Sequence, residues 1–287
     1  QVTVIESKAF KSCESLTSLK IGSKVAEIGE EAFRNCFELS GSLVLPDSVN
    51  DVQIRAFQKC TKLSSLTISK SLTEIKNYCF YDCESIRTIT FQENLQDIKP
   101  YAFWGCDNLT QIKFPASLET IGNNAFQNCK SVSGELTIPA KITTVNQYAF
   151  QNCLSITTLT LPEKLTSIGN NAFEKCEELS KINFNSNLDS IKSYAFKDCH
   201  SLSSIDLPLS LNSLGDSVFD NCYSLRGELS FKENIKRISP YCFQHCSNIT
   251  KLTFTDNLTE IKYLAFYDCT KLADIVFGSS LTTIDYQ

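Results

Sequence analysis

The sequence predicts an α/β-type repeat solenoid of twelve coils, each 23 or 24 residues long. A parallel β-sheet should line one face, with short irregular or 3₁₀ corners on the other. Three observations carry this reading. Twelve of the fourteen cysteines (Cys13, Cys36, Cys60, Cys83, Cys106, Cys129, Cys153, Cys176, Cys199, Cys222, Cys246 and Cys269) stand 23 or 24 residues apart. A phenylalanine precedes each of them by three residues, from Phe10 to Phe266. Between one Phe-x-x-Cys and the next, apolar residues recur at fixed offsets with turn-forming residues between them.

The elements follow in order from the unit that begins at Cys106. Leu109, Ile112, Phe114, Leu118, Ile121, Ala125 and Phe126 are its apolar positions, at +3, +6, +8, +12, +15, +19 and +20 from the cysteine. The +6/+8 pair has a period of two and predicts a short strand with alternate side chains inward. The remaining spacings fit neither a long helix nor a long strand. They fit a coil that turns a corner every few residues and sends one apolar side chain inward each time, with Pro162, Gly169-Asn170-Asn171 and Pro208 as corner markers. The phenylalanine column fills the side opposite the strands. The small residue before it is usually alanine, and the two remaining cysteines, Cys79 and Cys242, stand in that slot. One coil cannot bury its apolar face alone and must stack on its neighbours, so residues 1–287 are expected to form a single solenoid domain.

A longer period overlies the first. The 24-residue coils carry an added glycine, Gly41, Gly134 or Gly227, and begin at Cys36, Cys129 and Cys222, which lie 93 = 4 × 23 + 1 residues apart. Growth by duplication of four-coil blocks explains this. The glycine should permit a bulge ahead of the strand that leaves the buried positions in place.

Composition narrows the function. The net charge is 27 − 32 = −5 with no basic run, which argues against nucleic-acid binding. No window of about 18 apolar residues exists to span a membrane. Methionine is absent even at position 1, so a processed product or an excised piece is expected, with any leader or anchor outside it. Neither terminal coil has a capping segment, which predicts fraying at residues 1–8 and 280–287 or end-to-end association.

Leucine or isoleucine at +3, +6, +8, +12 and +15 followed by Ala-Phe-x-x-Cys, as in Leu159-Thr-Leu161-Pro162-Glu-Lys-Leu165-Thr-Ser-Ile168-Gly-Asn-Asn-Ala172-Phe173-Glu-Lys-Cys176, resembles the BspA-like leucine-rich repeat family. The resemblance covers the whole chain. It implies a secreted or cell-surface protein of the kind found in mucosal bacteria and parasitic protists. It further implies adhesion to host or neighbouring-cell proteins, with no enzymatic activity and no cofactor. It transfers no particular binding residue, because the positions the family shares are the buried ones.

The chemistry-bearing residues each have a plainer reading beside the functional one. One cysteine per coil in a straight column does not converge on a metal, so no metal site is expected. Disulfides between adjacent coils are sterically conceivable, but parallel Cβ vectors suit a ladder of small buried thiols donating to loop carbonyls. His200 follows Cys199 and His245 precedes Cys246. A Cys–His hydrolase would need such a pair to face each other across a cleft, whereas neighbours at a corner usually diverge. The sequons at Asn108, Asn248 and Asn257 are about as many as so Asn- and Thr-rich a chain produces by chance.

Two surfaces are candidates for a partner protein. The outward strand column, with Thr67, Thr90, Thr137, Thr160 and Thr253, reads either as a solvated face of good strand formers or as a broad weak binding surface. The sharper candidate flanks the Ala-Phe corner. Two adjacent coils there carry Tyr78, Tyr81, Tyr101 and Trp104, the last being the only tryptophan, where most coils carry polar residues. The period sets Tyr78 beside Tyr101 and Tyr81 beside Trp104. These aromatics either form a protein or glycan contact patch or simply cover the phenylalanine column. Tyr241, Tyr263 and Tyr267 form a second, looser group. A passive spacer role stands as a further alternative.

Overall fold

The computed structural model describes residues 1–286, and the chain divides into two compact units, Gln1–Ser133 and Gly134–Gln287. Each is a stack of parallel coils with six Phe-x-x-Cys corners, and no helix occurs among the described residues. The coil count matches the sequence period.

In the first unit the strands are β1 (Val4–Ile5), β2 (Glu27–Ile28), β3 (Gly41–Val44), β4 (Asp51–Val52), β5 (Leu63–Thr67), β6 (Glu74–Ile75), β7 (Thr88–Thr90), β8 (Asp97–Ile98) and β9 (Thr120–Ile121). They form parallel sheets in the orders β3-β5-β7, β1-β2-β4 and β6-β8-β9. The first sheet is the predicted one. The others come from the +14 and +15 positions (+15 and +16 in the glycine-bearing coil), a second line of two-residue strands that the sequence pattern did not resolve. Two residues are too few to show an alternation of their own.

The second unit repeats the plan with β10 (Gly134–Thr137), β11 (Thr144–Val145), β12 (Ile156–Thr160), β13 (Ser167–Ile168), β14 (Lys181–Asn183), β15 (Ser190–Ile191), β16 (Ser213–Leu214), β17 (Arg226–Ser230), β18 (Arg237–Ile238), β19 (Asn248–Thr253), β20 (Glu260–Ile261), β21 (Asp274–Val276) and β22 (Thr283–Ile284). The orders are β10-β12-β14, β17-β19-β21, β11-β13-β15-β16 and β18-β20-β22, all parallel.

The expectation of a continuous sheet needs correction. No strand forms around Leu19, Ile112 or Ile205, which occupy the +6 position of coils 93 residues apart. Each gap precedes a glycine-bearing coil. There Gly41, Gly134 and Gly227 adopt φ of 79°, 78° and 79°, a region that favours glycine. The register slips by one residue just after each, between Gly41 and Ser42, Gly134 and Glu135, and Gly227 and Glu228. This is the expected bulge. It absorbs the extra residue while Leu39, Leu43 and Leu45 remain buried.

Two ladders run through the core beside its buried leucine and isoleucine columns. Phenylalanine rings stack face to face from coil to coil, as for Phe80–Phe103 at 5.4 Å and Phe103–Phe126 at 5.3 Å in the first unit, and Phe150–Phe173 and Phe173–Phe196 at 5.5 Å in the second. Beside them runs the cysteine ladder. All fourteen cysteines are free and all but Cys13 are buried. Ladder thiols donate to the phenylalanine carbonyl one coil back, with Cys60 on Phe33 and Cys83 on Phe57 at 3.2 Å, and Cys199 on Phe173 at 3.4 Å. Small thiols fit this column because they fill little volume and still satisfy a carbonyl.

The corners hold no 3₁₀ turn among the described residues; they are built from left-handed residues. Two per coil have positive φ, one two residues before the phenylalanine and one two residues after it, as with Tyr78 (58°) and Asp82 (55°) around Phe80. Backbone donors then alternate in direction. Cys79, Tyr81 and Cys83 bond back within the turn to Lys76, Tyr78 and Phe80, while Tyr78, Phe80 and Asp82 bond forward to Pro100, Ala102 and Trp104 of the next coil. The six amides from Tyr78 to Cys83 are thereby satisfied without helix or sheet.

Candidate functional site

The corner geometry fixes the four aromatic side chains. Tyr78 and Tyr101 hold the left-handed position before Phe80 and Phe103, and Tyr81 and Trp104 the position just after. Inter-coil stacking therefore lays ring upon ring. Tyr78 and Tyr101 stack at 4.8 Å with planes 7° apart, and Tyr81 and Trp104 at 4.5 Å with planes 5° apart. Tyr78 and Tyr81 close the quartet across the columns at 5.7 Å, tilted by 52°. All four are half-buried.

Both columns are continued by planar polar groups that sequence reading missed. Arg55, one coil back from Tyr78, places its guanidinium carbon 4.9 Å from that ring's centre. Gln127, one coil on from Trp104, accepts a hydrogen bond from the indole Nε1 at 2.8 Å and another from Asn124 Nδ2 at 2.7 Å. The 23-residue period alone would have found both. Stacking engages one face of each ring within its column, and Arg55 covers the other face of Tyr78.

Left-handed backbone costs a non-glycine residue about 1–2 kcal/mol, least for asparagine. Asn124 and Asn171 occupy the same slot as Tyr78 and Tyr101. Tyr148, Tyr194 and Tyr241 hold it too, so what sets this corner apart is the second aromatic column of Tyr81 and Trp104 beside the first.

Beside the quartet, Asp82 and Gly105 follow Tyr81 and Trp104 in the second left-handed column. A Cβ on Gly105 would lie 2.6 Å from Asp82 Oδ1, so the carboxylate occupies the space that a side chain at 105 would take. Burial, reinforced by Glu84 and Asp107 and opposed by Lys59, pushes the Asp82 carboxyl above its ordinary pKa.

The looser aromatic group comes together only in part. Tyr241 and Tyr263 meet edge to face at 5.1 Å, while Tyr267 packs on His245 at 5.8 Å. On the outward strand column, Thr160 Oγ1 donates to Glu135 Oε1 at 2.8 Å and accepts from Asn183 Nδ2 at 3.0 Å, tying neighbouring coils together.

Neither Cys–His pair assembles. The Cys199 thiol donates inward to Phe173 while His200 stacks on Tyr223 at 5.0 Å. The Cys246 thiol donates to the Phe219 carbonyl at 3.2 Å while His245 Nδ1 lies 3.3 Å from Asp220 Oδ1, whose partner oxygen accepts from Lys197 Nζ at 2.8 Å. Burial, with neighbouring thiols adding to it, holds both cysteines well above their ordinary pKa, the opposite of what a nucleophile needs. No group of three or more His, Cys, Asp or Glu able to hold a metal occurs among the described residues, and no helix there is long and apolar enough to cross a membrane.

Comparison with known proteins places this architecture. A leucine-rich cell surface protein from Faecalibacterium prausnitzii A2-165 is 27% identical, with 96% of this chain and 76% of that one aligned at a TM-score of 0.53. A leucine-rich repeat protein from Bacteroides ovatus (24% identical, 86% and 85% covered, TM-score 0.59) shares the fold. So does the pneumococcal vaccine antigen PcpA (18%, 100% and 85%, TM-score 0.59). No curated protein matches the chain. The family model described as a BspA type leucine rich repeat region, in six copies, matches residues 3–133, 132–247 and 227–287. With the Phe–Cys ladders, the left-handed corners and a match of this extent, the chain belongs to the BspA-type leucine-rich repeat family.

Proposed function

We propose that the chain is a non-enzymatic binding scaffold on a secreted or cell-surface protein. It engages a host or neighbouring-cell protein, and the corner of Tyr78, Tyr81, Tyr101 and Trp104 is its principal contact. The observation that carries the site is the stacking of Tyr78 on Tyr101 and of Tyr81 on Trp104 in neighbouring coils, which joins four aromatic rings in one quartet. The likeness to a leucine-rich cell surface protein supports the location.

The test is saturable binding of the labelled chain to intact host or neighbouring cells, compared with a Trp104→Ala/Tyr101→Ala variant. The double variant should lose about 2 kcal/mol of binding or more, as truncated aromatic anchors do. It should also lose about 1–2 kcal/mol of stability, since two half-buried stacks go with it, so binding is measured well below its melting temperature. Normal binding by a folded double variant would remove the corner from the reading. No saturable binding by the parent chain to any cell surface would favour a passive spacer.

A further inference from the structure

We propose that the notch formed by Asp82 and Gly105 receives the guanidinium of an arginine on the partner protein. This deepens the preceding section and rests on its reading of the adjoining corner as a protein-binding site.

In the left-handed column two residues after each phenylalanine, two side chains take a hydrogen bond from the residue 23 positions on. Asn221 Nδ2 donates to Asp198 Oδ1 at 2.6 Å, and Asn35 Nδ2 approaches Ser12 Oγ at 3.4 Å. For Asp82 the equivalent residue is Gly105, the one glycine in that column, which has no side chain to give. The Asp82 carboxylate consequently accepts no hydrogen bond and joins no ion pair among the described residues, although it is half-buried. Lys59 acts on it only through space. The Asp82 oxygens reach solvent and are open to a donor from outside, whereas asparagine at 105 would supply one from within, as Asn221 does for Asp198.

The vacant donor position adjoins Tyr81 and Trp104, and the field there is acidic, with Glu84 and Asp107 both raising the Asp82 carboxyl. A cationic planar donor fits both the charge and the neighbours, because guanidinium forks onto a carboxylate and lies well against aromatic rings. Arg55 already rests on Tyr78 in this way.

The experiment measures binding of a fluorescein-labelled pentaarginine peptide by anisotropy. Asp82→Asn should weaken it about tenfold or more, the worth of one charge-assisted hydrogen bond. Gly105→Asn should weaken it equally while leaving the net charge unchanged, by supplying the missing donor from within. Asn128 has φ 64° in the same column, so the backbone accepts asparagine there. Asp198→Asn, whose parent carboxylate is already served, should bind as the parent does. Asp82→Asn should melt no lower than the parent, because it removes an unpaired charge. Equal binding by the parent and Gly105→Asn, equal weakening by Asp198→Asn, or no binding by the parent would each overturn the notch. Loss in Trp104→Ala/Tyr101→Ala with retention in both notch variants would overturn it and leave the aromatic corner standing. The reverse pattern would uphold the notch and remove the corner.

Discussion

Replacing Phe103 by alanine tests whether the phenylalanine ladder is the main source of cohesion. Phe103 is fully buried. Its ring stacks on Phe80 at 5.4 Å and Phe126 at 5.3 Å, and meets Phe91 edge-on at 5.8 Å. Truncating a buried phenylalanine costs about 3–5 kcal/mol. Three ring partners, each worth about 0.5–1.5 kcal/mol beyond area, put this site at the upper end. Phe10 provides the internal control, being 44% exposed with Phe33 as its one described ring partner. Phe10→Ala should cost about 1 kcal/mol, because little area leaves contact. Urea unfolding followed by circular dichroism reads the difference. With a slope of about 3 kcal/mol per molar, Phe103→Ala should lower the midpoint by more than about 1 M and Phe10→Ala by about 0.3 M. Equal shifts, or a Phe103→Ala shift below about 0.5 M, would show that cohesion resides elsewhere.

Three further predictions follow from single sites. A thiol reagent applied to the native chain should label Cys13 rapidly and the thirteen buried cysteines only on unfolding, with Cys36 protected both by burial and by a pKa pushed up to about 11; fast labelling of Cys199 or Cys246 would revive the hydrolase alternative. Glu31 accepts from Lys11 at 2.6 Å and from Arg34, and these contacts, the Lys11 bond foremost, hold its carboxyl below the ordinary 4.5 despite burial. Its contribution is therefore present above about pH 4.5 and lost as pH falls through the depressed folded value, so Glu31→Gln should flatten the acid limb of a melting-temperature profile, and an unchanged limb would count against the contact. Gly227→Ala meets no atom within 4 Å, so its expected cost of about 1 kcal/mol is conformational alone; a neutral result would mean that the bulge does not require φ of 79°.

The sequence by itself determined the number of coils, the Phe and Cys columns, the bulge glycines, the buried thiols and the pairing of Tyr78 with Tyr101 and Tyr81 with Trp104. All are consequences of one period, and a strict period leaves stacked coils only one way to align their inward side chains. Its spacing also held the partners Arg55, Gln127 and Gly105, each 23 residues from a residue of the site. Only the tertiary structure decided how those residues meet. Strand pairing lapses at Leu19, Ile112 and Ile205 because hydrogen bonding depends on backbone separation, which side-chain pattern does not encode. The corners became left-handed turns because alternate amides must bond forward and backward, a demand that arises only when coils are stacked. For the same reason the aromatic rings of neighbouring coils meet face to face. Asp82 is left without a donor because Gly105 lies across from it in space.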